Sequence, residues 1–220
     1  MPEAARLVGM SPRTLATWAH GYERHFQDRS TVKQGPVITA LRSADERTVS
    51  FIGLVEATVV QAFRRTGLPM QRIRRAIEVL STQGELQHAL ASRQLYTDGA
   101  NVLYDYARLE SDDQLRLLTV VFSGQRVFHE VIQEYLARIT FGDTWATELI
   151  VPVTDRPVLR IRPNVASGTP VFVNGGAPLD AVRSRFQAGE SIASIAADYD
   201  VPADDISEAL RAIWPQKLAA

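Results

Sequence analysis

The segment that decides the fold is the stretch EAARLVGMSPRTL at residues 3–15. Residues 2–8 predict a short helix, because proline is well tolerated in a first helical turn. Gly9 suits the left-handed position after a helix, and Ser11-Pro12 suits the N-cap and first position of a second helix that runs to about His20. A helix, a glycine-containing turn and a second helix are typical of DNA-reading helix-turn-helix units.

The exposed start of this second helix is the predicted DNA-reading surface. In a helix-turn-helix, the early residues of the second helix meet base edges in the major groove. Arginine can pair with guanine through two hydrogen bonds, and threonine can reach a phosphate or a thymine methyl group. A plain helical hairpin with a solvated Arg13 is the alternative. The predicted DNA-binding set is Ser11, Arg13, Thr14, Thr17, Arg24 and Lys33.

Two β-rich runs, at residues 36–41 and 48–51, flank a polar stretch at 43–47 and predict a hairpin. A hairpin after a helix-turn-helix is a wing, and wings commonly contact backbone phosphates. Each basic residue near it could equally be solvated, but together they form an electrostatic footprint for DNA. These residues are Arg24, Arg29, Lys33 and Arg47.

Two further helices are predicted after the wing, at residues 51–65 and 70–80, separated by Gly67-Leu68-Pro69. The first has an apolar stripe at steps of three and four residues. The second points Arg72, Arg74 and Arg75 outward, as a solvated face or as part of a DNA-binding surface.

This order of elements resembles the DNA-binding domain of MerR-type regulators. The resemblance rests on EAARLVGMSPRTL (3–15), IGLVE (52–56) and LPMQRIRRA (68–76). It implies a winged helix-turn-helix at residues 1–85 that binds operator DNA. One such unit reads few bases, so a homodimer on paired half-sites is expected.

The middle of the chain, residues 86–155, predicts a connecting α/β region. Asp98-Gly99 between apolar runs predicts a hairpin across residues 94–104. An apolar pattern at residues 112–139 predicts one or two helices, with a dimer-forming or intradomain role. Strands are predicted at 147–151 and 158–162.

Residues 156–220 predict a second compact unit, with three helices at about 177–188, 192–199 and 204–213. Three helices in this order look like another helix-turn-helix. The third helix begins with Asp204 and Asp205, and these carboxylates would repel phosphates, although acids also favour a helix N-terminus. A protein-contact or dimerisation role is therefore expected.

This C-terminal unit resembles a domain of unknown function that is found in many bacterial antitoxins. The matching stretches are GTPVFV (168–173), PL (178–179), AGESI (188–192) and AADY (196–199). A MerR-like front joined to this rear resembles one branch of VapB-type antitoxins. The resemblance implies a partner VapC-like toxin, which is a ribonuclease with an acidic magnesium site, and repression of the chain's own operon.

The residues expected to contact such a toxin are arginines. A guanidinium can pair with two carboxylate oxygens of an acidic pocket. Arg160 and Arg162 lie two apart on a predicted strand, so both point to one face. Arg183 and Arg185 are the second candidate pair. Ordinary surface positions for all four remain the alternative.

Composition limits the other functions. The chain has no cysteine, and His20, His25, His88 and His129 show no metal-ligand spacing, so neither metal nor cofactor is predicted. No catalytic motif is present, which argues against an enzyme. Residues 1–80 carry twelve basic and seven acidic residues, whereas residues 81–220 carry twelve and eighteen. A basic front can meet a polyanion and an acidic rear can meet protein.

The sequence contains no apolar run long enough to span a membrane and no hydrophobic leader near Met1, so a cytoplasmic protein without a membrane partner is expected. The predicted fold is mainly α with short β-hairpins. The functional alternative to an antitoxin is a MerR-type transcriptional regulator that responds to a small-molecule effector.

Overall fold

A computed structural model describes residues 1–25, 31–40, 49–83 and 88–214. The chain is mainly helical with short antiparallel strands, as predicted. The helices of the described part are α1 (Pro2–Leu7), α2 (Pro12–His20), α3 (Phe51–Arg65), α4 (Met70–Gln83), α5 (Arg93–Leu109), α6 (Asp113–Arg116), α7 (Glu130–Leu136), α8 (Leu179–Gln187), α9 (Ile192–Tyr199) and α10 (Ala203–Ile213). Short 3-10 turns lie at Ala89–Ala91 and Ala166–Gly168.

The strands of the same part form two hairpins and one larger sheet. They are β1 (Tyr22–Arg24), β2 (Val32–Gln34), β3 (Thr119–Phe122), β4 (Gln125–Phe128), β5 (Ile139–Phe141), β6 (Ala146–Ile150), β7 (Leu159–Ile161) and β8 (Val171–Phe172). Strand β1 pairs with β2, strand β3 pairs with β4, and the last four strands form an antiparallel sheet in the order β5-β6-β7-β8.

Helix α3 is the central element of the fold. Ten of its fifteen residues are buried, because it packs against α2, α4, α7 and β6. Its two buried polar residues both have partners within the protein: the Thr58 hydroxyl donates to the Leu54 carbonyl over 2.9 Å, and Glu56 accepts from the Thr39 backbone N–H. A continuous cluster of buried side chains runs from Ala5 in α1 to Ile213 in α10.

The hairpin predicted at Asp98-Gly99 is wrong, because these residues lie in the middle of α5. Leu95, Leu103 and Ala107 make the buried face of this helix at helical spacing. Gly99 lies on the same face, and close packing of neighbouring side chains there leaves no room for a Cβ atom. A Cβ atom there would lie 2.9 Å from the Leu95 side chain and 3.1 Å from Phe128.

The helices predicted across residues 112–139 are only partly present. Between α6 and α7 the chain forms the β3–β4 hairpin. Its two-residue loop is Ser123-Gly124, and both residues have positive φ, of 49° and 81°. This backbone matches the twist of the flanking strands and favours glycine at the second position, so Ser123-Gly124 is a hairpin turn.

The structure describes the predicted wing only in part. In the described residues of the segments predicted to pair at 36–41 and 48–51, Ala40 and Val49 form an antiparallel bridge, and a further hairpin, β1–β2, lies between α2 and these segments. The polar stretch at 43–47 lies outside the described residues. Four of the six residues in β1 and β2 are polar or charged, so these strands lack the β-rich composition on which the wing prediction rested.

The helices predicted in the rear unit are present as α8, α9 and α10, and the two predicted strands are present as β6 and β7. Leu149 of β6 pairs with Ile161 of β7. The four-stranded sheet therefore joins residues on both sides of the domain boundary predicted at 155/156.

Candidate DNA-reading surface and the arginines of the rear unit

The local geometry of α1, the turn and α2 follows from three residues. Gly9 adopts φ of +65°, which a side chain would strain. The Ser11 Oγ accepts a hydrogen bond from the Thr14 backbone N–H over 3.1 Å and caps α2, and Pro12 takes the first helical position. These features confirm the helix, turn and cap that were predicted from the sequence.

Arg13 is the exposed cation at the start of α2. Among the residues that the structure describes, no side chain or backbone group pairs with its guanidinium. The other two candidates on this helix make local bonds: the Thr14 hydroxyl lies 2.8 Å from the Ser11 Oγ, and the Thr17 hydroxyl donates to the Arg13 carbonyl over 2.9 Å. The group available for a new charged contact on this surface is therefore Arg13.

The turn before α2 rests on distant parts of the chain. The Gln61 side-chain amide of α3 donates to the Gly9 carbonyl over 3.3 Å. A Cβ atom on Gly9 would lie 3.2 Å from Val153, in the segment that follows β6. Helix α1 also packs against α10. The turn and the helix before it are therefore supported by α3, by the segment after β6 and by α10.

The β1–β2 hairpin is attached to the C-terminal end of α2. The Trp18 carbonyl accepts from the N–H groups of Val37 and Ile38, over 2.7 and 3.2 Å. From the other side, Arg74 of α4 donates to the Gly35 carbonyl over 2.8 Å. The base of the β1–β2 hairpin is thus fixed between α2 and α4. The wing was predicted in the segment that follows this hairpin.

The remaining DNA-binding candidates lie on or near this hairpin. Lys33 is exposed on β2 and pairs in register with Glu23 of β1. Arg24 ends β1, and its side chain lies outside the described part of the chain. Arg29 and Arg47 also lie outside the described residues.

The arginine run on α4 makes contacts within the fold. Arg72 forms an ion pair of 2.7 Å with Asp112, just before α6. Arg75 forms one of 2.9 Å with Glu78 and also contacts Tyr106 of α5. Together with the Arg74 bond to the hairpin base, these contacts connect α4 to its neighbours, which favours the structural interpretation of this run.

The first pair of toxin-contact candidates lies on the outer side of β7. Leu159 and Ile161 are buried, so Arg160 and Arg162 fall on the opposite side by strand alternation. The Arg162 Nε donates to Glu148 of β6, and the two form an ion pair. Arg160 is half-buried, and its Nε atom has no hydrogen-bond partner in the described structure.

The second pair is on α8 and is also engaged. Arg183 forms an ion pair of 2.8 Å with Asp180, and its guanidinium lies 5.0 Å from the centre of the Trp214 ring. Arg185 bridges Glu190 and Asp198, which links α8 to the cap and end of α9. The hydrogen bonds that Arg185 donates to Glu190 lower the pKa of the Glu190 carboxyl. The same bonds, followed by the one that Arg185 donates to Asp198, raise the pKa of Arg185.

Two charged clusters were missed from the sequence. Arg156 holds the acidic start of α10, with 3.1 Å to Asp205 and 2.7 Å to Glu208. Elsewhere, the buried Glu56 accepts from the Thr39 N–H over 2.5 Å and lies 3.2 Å from the His88 Nδ1, and burial raises the pKa of its carboxyl. These partners are distant in sequence, so spacing gives no signal for either cluster.

Among the described residues, no three histidine, aspartate or glutamate side chains are placed together so that they could hold a metal ion. In the same residues, no helix combines the length and apolarity needed to cross a bilayer.

Two family profiles match separate parts of the chain. A family profile described as "Putative DNA-binding HTH domain" matches residues 1–77, and one described as "Protein of unknown function (DUF433)" matches residues 160–211. The "Putative antitoxin VapB45" of Mycobacterium tuberculosis (strain ATCC 25618 / H37Rv) is 39% identical over 97% of this chain and 92% of its own length. The chain belongs to this VapB-type antitoxin family. The relative covers both parts of the chain that the two profiles match, in agreement with the sequence resemblance.

Two further matches come from the same organism. The "Uncharacterized protein Rv2308" is 26% identical over 94% of this chain and 86% of its own length. The crystal structure of Rv2018 from Mycobacterium tuberculosis matches with a TM-score of 0.79 and 36% identity, and covers 94% of each chain. The similarity therefore extends over nearly the whole fold rather than over one module.

Proposed function

We propose that this antitoxin-family chain represses its own operon through α2 and neutralises a VapC-like ribonuclease through its rear half. The observation that carries the DNA part is the position of Arg13. It is exposed in the first turn of a capped helix, has no partner in the described structure, and belongs to the segment that matches a DNA-binding family. An arginine in this position of a helix-turn-helix can form two hydrogen bonds to a guanine edge.

The DNA function requires two copies on paired half-sites, so we propose a homodimer. A candidate surface lies around β3, where large apolar side chains are exposed to solvent. Val120 and Val121 of β3 are 43% and 57% exposed, and Leu117 just before it is 56% exposed. Exposed apolar side chains on a strand and on the residues before it are candidates for a protein-protein contact surface.

The DNA part is tested with the full chain and the DNA upstream of its gene. Arg13→Ala should weaken binding by about 1–3 kcal/mol, which is the cost of one bidentate base contact. Arg211→Ala is the matched control, since Arg211 is exposed on α10 in the rear unit. Fluorescence anisotropy titration measures both. Equal affinity of Arg13→Ala and the wild-type chain would show that α2 does not read bases through this residue.

The toxin part rests on the chemistry of the arginines on β7 and α8. A metal-binding ribonuclease pocket groups carboxylates, and a guanidinium is the side chain best suited to pair with them. In this chain Arg162, Arg183 and Arg185 already pair with carboxylates of their own fold. Toxin binding would therefore replace a carboxylate of this chain by a carboxylate of the toxin. In the simplest case, Arg162 would release Glu148 and pair with the toxin.

Growth rescue in cells that express the neighbouring toxin gene tests this part. The doubly substituted chain Arg160→Ala/Arg162→Ala should fail to restore growth, because the proposed contact is removed. The control Arg93→Ala/Arg211→Ala removes two exposed arginines outside the proposed site and should restore growth. Immunoblotting establishes that both chains accumulate equally. Full rescue by the first variant at equal abundance would refute the toxin-contact assignment of β7.

A further inference from the structure

A groove of about 1030 Å³ lies in the middle region, between α5, the β3–β4 hairpin and α7. One of its lining residues, Val121, belongs to the candidate dimer surface around β3, and the function proposed above uses no other part of the groove. Its volume is at the upper end of the range of about 300–1,000 Å³ that is typical of small-molecule sites. The lining contains two arginines, two tyrosines and three side-chain amides, and no carboxylate: Arg108, Arg126, Tyr96, Tyr104, Asn101, Gln125 and Gln133.

One wall of the groove is a polar stripe on α5. Thr97, Asn101, Tyr104 and Arg108 follow one another at steps of four, three and four residues, so they share one helix face. Asn101 and Arg108 are exposed, and their side chains have no partner among the residues that the structure describes. Polar side chains that face a concave surface and have unused hydrogen-bonding groups are suited to bind a ligand.

The opposite wall fixes a flat cationic surface beside this stripe. The Arg126 guanidinium of β4 lies 4.7 Å from the centre of the Tyr104 ring. Its ion pair of 2.6 Å with Asp105 holds it in place and compensates its charge. Arg108 is then the cation of the lining whose charge has no compensating partner in the described structure. The groove thus combines a net positive charge with planar surfaces.

We propose that this groove binds a nucleotide. Arg108 contacts the phosphate, since a guanidinium pairs with two phosphate oxygens. The base stacks on the planar groups, where Tyr96, which is 59% exposed, and the Arg126–Tyr104 pair offer aromatic and guanidinium faces. Asn101, Gln125 and Gln133 each carry both a donor and an acceptor, as the mixed edge of a nucleobase requires.

The choice of a nucleotide over a simpler anion follows from this combination. A free phosphate would use Arg108 and leave the aromatic and amide groups without a role. An uncharged aromatic molecule would leave the guanidinium of Arg108 without a counter-charge. A ligand that has an anionic group, a flat ring and hydrogen-bonding ring edges satisfies all three sets of side chains.

Isothermal titration calorimetry on the full chain tests the proposal with four probes, AMP, GMP, CMP and UMP, and with inorganic phosphate as a fifth. At least one nucleotide should bind saturably, with a dissociation constant below about 1 mM. Arg108→Ala should weaken this binding about tenfold or more, and Tyr96→Ala about fivefold or more. Arg93→Ala is the control, because Arg93 is exposed on the same helix but does not line the groove.

Three results would overturn the proposal. One is the absence of binding by all four nucleotides. Another is inorganic phosphate binding as tightly as the best nucleotide, which would indicate an anion site without base recognition. The third is an equal loss in Arg93→Ala and Arg108→Ala, which would indicate general surface charge. Circular dichroism of each variant verifies folding, and Tyr96→Ala tests the groove separately if Arg108→Ala does not fold.

Discussion

The front and rear units of this chain use the same local sequence pattern to begin a helix, yet they present opposite chemistry. In each, a glycine with positive φ stands two residues before a serine N-cap: Gly9 before Ser11, and Gly189 before Ser191. Each serine hydroxyl accepts from the N–H three residues later, over 3.1 Å in α2 and 3.2 Å in α9.

The residues around the two caps differ in charge. In the front unit Arg13 follows the cap, and its guanidinium has no partner in the described structure. In the rear unit Glu190 precedes the cap, and its carboxylate is paired with Arg185. The same turn and cap can therefore begin helices beside residues of opposite charge. An uncompensated cation favours DNA, whereas the paired charges of the rear unit mainly connect its own helices.

The largest expected effect is a loss of stability when the hydrophobic core that the two units share is disrupted. Leu15→Ala in the front and Ile195→Ala in the rear each remove a fully buried side chain. Each should cost about 2–5 kcal/mol of unfolding free energy. Because both residues belong to one continuous cluster, urea denaturation followed by circular dichroism should show a single transition in each variant. If Ile195→Ala produced a separate early transition, the rear unit would have to be regarded as an independent domain.

A smaller effect is expected at the caps. Ser11→Ala and Ser191→Ala should each destabilise the chain by about 1 kcal/mol, because each removes the acceptor for one helical N–H. Only Ser11→Ala should also weaken DNA binding, since its helix carries Arg13. Ser11→Asn and Ser191→Asn are the controls, because asparagine caps equally well. Thermal denaturation and anisotropy titration measure the two effects, and a loss of DNA affinity in Ser191→Ala would contradict the division between units.

The smallest effect is a pH dependence confined to the rear cap. The pKa of Glu190 is lowered by hydrogen bonds from Arg185 and then Ser194, so the folded state holds its proton less tightly than the unfolded chain does. The ionised Glu190 therefore stabilises the folded state at pH values above its pKa in the unfolded chain. This stabilisation is lost as the pH falls through its pKa in the folded chain. Glu190→Gln should be less stable than the wild-type chain at pH 7 and equal to it at strongly acidic pH.

Urea midpoints measured between about pH 2 and pH 7 test this sign. The control is Glu110→Gln, which removes an exposed glutamate that has no ion pair in the described structure. A difference between Glu190→Gln and the wild-type chain that stayed constant across the range would show that the ion pair does not cause it.

The sequence predicted those elements whose signals are local. Helix α3 was predicted with its observed bounds, and α2 with its cap, because apolar spacing and capping residues act within a few positions. Helix α5 was missed because Gly99 follows an aspartate, a pair that is typical of turns. The reason for glycine there is the side chain of Phe128, which approaches from a distant hairpin.

The same distinction applies to the candidate sites. Arg13 was found because its position after Ser11-Pro12 is a local signal. The pairing of Arg162 with Glu148, and of Arg156 with Asp205, depends on strands and helices that meet only in the folded chain. The predicted toxin-contact arginines were therefore chosen without knowledge of their internal partners. The groove beside α5 was also missed, since the hairpin that forms one wall was predicted as helix.

The contact between Gly9 and Val153 has a consequence for the inheritance of this protein. The turn that orients α2, the proposed DNA-reading helix, is shaped partly by a residue more than a hundred positions away. A gene fragment that carries only the front segment would lose that support, so recombination within the gene should seldom yield a working repressor. Front and rear are then expected to be exchanged between lineages together, and substitutions at position 153 should be accompanied by changes near position 9.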